Sequence, residues 1–100
     1  MLAVGARWRF AERWAGQCSR IQPMLGPHAA YTCSDQLLRR AAEEARRTGL
    51  MLHIHVAESP HERDLISRRT GTTTVQHLER LGFFTGNRVL GAHALLLDDQ

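Results

Sequence analysis

Residues 53–58 read HIHVAE, two histidines and a glutamate in a short apolar run that otherwise has the composition of a buried strand. Residues two apart on a strand share a face, so His53 and His55 side with Met51 and Ala57, while Leu52, Ile54 and Val56 take the other side. The aliphatic side suits a covering helix, and the histidine side must face something polar, a metal or a ligand. His28 falls just past an earlier apolar run and His93 toward the end of a later one. Parallel α/β folds build their sites at the carboxyl ends of strands. Three strands each bringing a histidine to one edge make a stronger signal than any one of them. Singly, each has a plainer reading: a histidine is commonly half-buried and hydrogen-bonded, and Glu58 suits the dipole at a helix start.

Jointly these residues fit metal-assisted hydrolysis. A neutral imidazole ligates zinc, the metal lowers the pKa of a bound water, and a nearby carboxylate moves a proton from that water to the leaving group. In this scheme His55 is the ligand and Glu58 the shuttle. A zinc site takes about three protein ligands plus water, and the sequence shows no convincing full set.

The elements that must position these residues are legible from periodicity. Ala6, Phe10 and Trp14 line one helical face, with Gly16 as a stop. IQPMLG (21–26) reads as a strand weakened by Pro23, which removes a ladder donor. Ser34 is placed to cap a helix with Asp35 in its first turn and an apolar stripe of Leu37, Leu38, Ala41, Ala42 and Ala45. Arg46 and Arg47 fall in its last turn and Gly49 follows. LMLHIHVA (50–57) is the next strand. Ser59, Pro60 and Glu62 read as a capping box opening a helix that ends before Gly71. Val75, Leu78 and Leu81 mark another helix, ended by Gly82, and RVLGAHALLL (88–97) a last strand. His61 and His77 fall on these helices and read as surface residues.

Strands joined by helices at roughly thirty-residue spacing predict an α/β fold with a parallel sheet and right-handed crossovers. Three strands are too few to close a barrel, so residues 1–100 read as one piece of a larger domain. The chain is 43% hydrophobic and 23% charged, the balance of a globular protein. No apolar stretch reaches the ~20 residues that span a bilayer, and no leader pattern opens the chain, so the expectation is a cytoplasmic protein without a membrane partner. Cys18 and Cys33 form neither a disulfide framework nor a C-x-x-C knuckle; they read as free thiols. That lack also sets aside the zinc nucleoside deaminases of the H-x-E and P-C-x-x-C type. The net charge of +3 comes with thirteen basic residues, all Arg, spread from Arg7 to Arg88 in ones and twos. A solvated helix surface fits this better than a nucleic-acid site.

GPHAAYTCS (26–34), HIHVAES (53–59) and VLGAHALLLDD (89–99), in that order and spacing, resemble consecutive landmarks of the amidohydrolase superfamily. The similar branch holds methylthioadenosine/S-adenosylhomocysteine deaminases, guanine deaminase-like enzymes and chlorohydrolases. The resemblance implies a (β/α)₈ TIM barrel, with this chain supplying about strands four to six and their helices. It further implies His55 as a ligand of one divalent metal ion, usually zinc, Glu58 as proton shuttle, and His28 as a substrate-binding residue. His93 takes the place of the histidine that contacts the hydrolytic water or the reacting group, and His53 that of a support. The family often has proline where Ala30 stands, and some deaminases carry another histidine near Leu96. Its remaining ligands, an H-x-H on strand one and an aspartate on strand eight, have no match here; Asp98 and Asp99 follow strand six. The expected reaction is hydrolytic deamination of a purine-like or other amino-substituted heterocycle, a small-molecule substrate. A non-catalytic barrel remnant or a basic binding module is the alternative.

Overall fold

The computed structural model describes Arg13 and residues 23–97. The helix predicted around Ala6, Phe10, Trp14 and Gly16 lies outside the described residues, as do Cys18, Ile21, Asp98 and Asp99. Strands β1 (Met24–Leu25), β2 (Met51–Val56) and β3 (Val89–His93) form one sheet in the order β1-β2-β3, with both pairings parallel. Helix α1 (Asp35–Thr48) joins the first two strands, and α2 (Pro60–Thr70) and α3 (Thr74–Arg80) join the last two. No helix among the described residues is long and apolar enough to cross a membrane.

Central strand β2 shows the alternation its sequence predicts: Leu52, Ile54 and Val56 are buried, and Met51, His53 and His55 are half-buried on the opposite face. Helix α1 covers the aliphatic face. Ser34 Oγ accepts the Leu37 N–H at 3.1 Å, Asp35 sits in the first turn, and Arg46 and Arg47 sit in the last. Gly49 adopts φ 74°, a left-handed cap open to glycine at little cost, and donates its N–H to the Ala45 carbonyl at 2.9 Å. Leu38, Ala41, Ala42 and Ala45 of α1 join Leu52, Ile54, Ile66, Leu78 and Phe83 in one buried cluster. The alanines let the helix backbone approach the sheet closely.

Several local expectations change. The first strand is only two residues long; past Pro27 the chain returns to β2 through a single bridge between Ala29 and His55. The last strand ends at His93 rather than near Leu97, because His93 and Ala94 turn to φ 73° and 51°. His77 is not a surface residue. Helix α3 buries Thr74, His77 and Leu78, with Leu81 just beyond, the i, i+3, i+4, i+7 face of a 3.6-residue period. That face includes position 77, and the His77 imidazole is satisfied there by Asp35, with Nε2 3.0 Å from Oδ1. The full capping box occurs at α3, between Thr73 and Gln76. At α2 only the Ser59 half forms, and the Glu62 carboxylate goes elsewhere. Cys33 is a free, half-buried thiol. Nor are the arginines merely solvated: Arg46 donates to the carbonyls of Gly82 and Thr85 at 2.9 Å each, and Arg88 to that of Gly49 at 3.2 Å.

Gly91 faces Ile54 across the sheet, and a Cβ there would lie 2.7 Å from Val56 Cγ1. Valine has little χ1 freedom to move aside. Gly91→Ala is expected to lower stability by about 1–3 kcal/mol, read as a lower urea midpoint; an unchanged midpoint would mean the β2–β3 contact yields without cost.

Candidate metal centre

The carboxyl end of the sheet gathers every residue singled out for chemistry. His55 is at the centre. Its N–H donates to the His28 carbonyl at 3.1 Å, which fixes the β1 side of the site, and its ring lies 5.3 Å from that of His28. On the other side the His93 ring stacks on His55 at 5.0 Å and 26°. His53, one pleat back on the same face, is 6.0 Å from His55. Just past β2, Ala57 has φ 51°, and Glu58 follows it, with Oε1 3.5 Å from His93 Nε2. One ligand atom from each of His55, Glu58 and His93 fits within 4.8 Å of the others.

Strand alternation alone does not account for His93. In the parallel register His55 faces Ala92, and Val56 faces His93. A regular strand would therefore send the His93 side chain to the aliphatic face with Val56. The left-handed φ of 73° breaks the alternation and carries the ring over to His55. Histidine tolerates this region better than most residues, and such strain concentrates at functional sites. Backbone hydrogen bonds hold the kink: Ala94 N–H donates to the Val56 carbonyl at 2.9 Å, and the N–H groups of Leu95 and Leu96 donate to that of Ala57 at 3.0 and 3.1 Å.

The donor set fits a metal ion. His55 Nδ1 is buried and has no hydrogen-bond partner among the described residues, a state that costs about 1–3 kcal/mol if nothing occupies it. The ligand atoms of His55, Glu58 and His93 lie close enough together for one divalent cation, and imidazole with carboxylate is a donor combination suited to zinc. His28, exposed at the rim, has Nδ1 2.7 Å from Thr32 Oγ1, which orients the ring and leaves Nε2 for another group. His61 is exposed as predicted, edge-on to Tyr31 at 6.0 Å. Sequence reasoning missed Glu62 as part of this neighbourhood. It is fully buried four residues after Glu58 and accepts the Glu58 N–H; the available signal was that spacing, which the capping pattern absorbed.

The amidohydrolase family model matches residues 8–100. The chain belongs to the amidohydrolase family. Among curated relatives it is 50% identical over 86 residues to the 5-methylthioadenosine/S-adenosylhomocysteine deaminase of Desulfitobacterium hafniense strain DCB-2, covering 86% of this chain and 20% of that protein. It is 46% identical over 92 residues to the 5'-deoxyadenosine deaminase of Methanosarcina acetivorans, covering 91% of this chain and 21% of the relative. The chain thus spans about a fifth of the length of these amidohydrolases. A crystal structure of an adenosine deaminase from Xanthomonas campestris with bound zinc superimposes with a TM-score of 0.85 at 23% identity, over 94% of this chain and 21% of that one. That likeness concerns the fold: the three parallel strands and their helices match a fragment of the amidohydrolase TIM barrel.

The left-handed backbone that carries His93 into the site gives a test by sign. Ala94→Gly, at φ 51°, is expected to be neutral or stabilising, whereas Ala92→Gly, within β3, should cost about 0.5–1 kcal/mol. Urea denaturation of the two variants checks this; equal losses would show that position 94 carries no left-handed strain.

Proposed function

We propose that this chain forms the central stretch of the barrel of a zinc-dependent amidohydrolase that deaminates an adenosine-like nucleoside by hydrolysis. The observation that carries this reading is the convergence of His55, Glu58 and His93, one ligand atom of each within 4.8 Å of the others, together with a buried His55 Nδ1 that has no hydrogen-bond partner among the described residues. The deaminase names of the relatives support the substrate class. His55 would hold the metal, with the remaining ligands supplied from outside this stretch. When bound, the zinc ion supplies a water molecule of lowered pKa and a local positive charge.

This chain's own residues account for the proton traffic. Glu58 takes a proton from the water as it adds to the amino-bearing ring carbon and delivers it to the leaving nitrogen. The carbon–nitrogen bond breaks, ammonia departs, and the water's second proton passes from the added oxygen to the neighbouring ring nitrogen, so that the carbon keeps the oxygen as a carbonyl. His93, 3.5 Å from the Glu58 carboxylate, holds that carboxylate in place and offers its ring to the oxygen that gains charge during addition. His28 presents Nε2 to the substrate at the rim, with its ring held by Thr32. His53 supports His55 from the preceding pleat.

The test is a chimera in which this chain replaces the matching 86 residues of the Desulfitobacterium deaminase. The chimera is expected to retain zinc and to deaminate 5-methylthioadenosine, followed by the change in purine absorbance. Within it, His55→Ala should lose zinc by metal analysis. Glu58→Gln should keep zinc while kcat falls about 10²- to 10⁴-fold, the contribution of a positioned acid–base group. Zinc loss in Glu58→Gln would make Glu58 a ligand rather than a shuttle, and a zinc-loaded chimera inert toward adenosine derivatives would remove the substrate class. The 100-residue chain alone should bind zinc weakly and show no turnover; an enzyme-like rate from it would overturn its reading as one stretch of a larger barrel.

A further inference from the structure

Beneath Glu58 lies a second carboxylate that the proposed chemistry does not use. Glu62 is 0% exposed, among the largest fully buried side chains of the described residues. A buried carboxylate is costly unless hydrogen bonds or charges compensate it. Here Oε2 accepts the Glu58 backbone N–H at 3.2 Å and the Thr74 hydroxyl at 3.3 Å, while the Glu62 N–H donates to Ser59 Oγ at 3.2 Å. Glu62 is in the first turn of α2, and Thr74 is the first residue of α3. The carboxylate therefore sits at the amino ends of two helices, where dipoles favour negative charge. Its Oε1 has no partner among the described residues.

We infer that Glu62 is a positioning residue that sets the place of the Glu58 carboxylate, an inference that rests on the proton-carrying role proposed for Glu58. Among the described residues the Glu58 side chain itself has one restraint, the 3.5 Å contact with His93. Its backbone is braced on both sides: the preceding carbonyl, of Ala57, takes the N–H groups of Leu95 and Leu96, and its own N–H is taken by Glu62. The first brace ties Glu58 to the loop that follows His93, and the second ties it to α2 and α3. A carboxylate that must reach both water and leaving nitrogen gains rate from fixed geometry, and small displacements of such a group are expensive. What Glu62 contributes in this role is a hydrogen-bond acceptor, so glutamine, which keeps an acceptor oxygen, can replace it.

In the Desulfitobacterium chimera, Glu62→Met fills the same space without an acceptor. It is expected to keep zinc and the KM of the parent while kcat falls about 10- to 100-fold, the usual cost of removing an outer-shell partner, and Glu62→Gln should recover most of that rate. Should the Met variant fail to fold, Glu62→Ala provides the same comparison. In the 100-residue chain, hydrogen exchange of the Glu58 amide should quicken in Glu62→Met relative to the His55 amide, which is bonded to His28. An active parent whose Glu62→Met variant keeps its kcat, or in which Glu62→Gln is as slow as Glu62→Met, would overturn the role of Glu62 alone. An inactive parent chimera would overturn the deaminase reading together with it.

Discussion

The site depends on β2 being paired on both sides while its two faces meet different surroundings. Buried between β1 and β3, the strand has its backbone hydrogen bonds satisfied laterally, so each side chain is committed to one face by the pleat. Leu52, Ile54 and Val56 anchor the helical layer, and that anchoring presents His53 and His55 on the other side without freedom to exchange. A slip of one residue in register would bury the imidazoles among alanines and leucines and expose the aliphatic set. Packing energy on one face thus becomes positional accuracy on the other.

The strand ends add what regular pleating cannot. Ala57, His93 and Ala94 have positive φ, and all lie where β2 and β3 give way to the loops above the site. Each kink redirects a functional group: after Ala57 the chain turns to present Glu58, and at His93 the ring crosses to the histidine face. The two kinks are laced together by N–H groups from the β3 loop donating to Val56 and Ala57 carbonyls. Strain at one loop end is thereby held by hydrogen bonds from the other, and the His93–Glu58 contact bridges the same two loops.

Buried polar groups carry the connection outward. Glu62 links the loop after β2 to the start of α3, and His77, from the last turn of α3, meets Asp35 at the start of α1. The His77–Asp35 pair spans 42 positions of sequence. These contacts tie all three helices to one another near the loops that bear the site, where an apolar core by itself would leave the helix ends free to shift.

Much of this was legible in the linear sequence. Alternation over 50–57, the Ser34 and Gly49 caps of α1 and the Pro60 start of α2 follow from residue type and spacing, since short-range sterics and hydrogen bonding settle them, and the gathering of His28, His55, Glu58 and His93 at one edge follows from the parallel order that these elements imply. His93 was expected at the right edge, although its register places it on the wrong face; only the backbone turn at the end of β3 brings its ring to His55. His77 reads as exposed until Asp35, distant in sequence, is seen to satisfy its imidazole, and Glu62 reads as a cap until Glu58 and Thr74 are seen around it. Local patterns state which groups a segment offers. Which partner each group meets depends on contacts between segments far apart in the chain, and burial makes those contacts decisive, because a polar atom removed from water must find its partner within the fold.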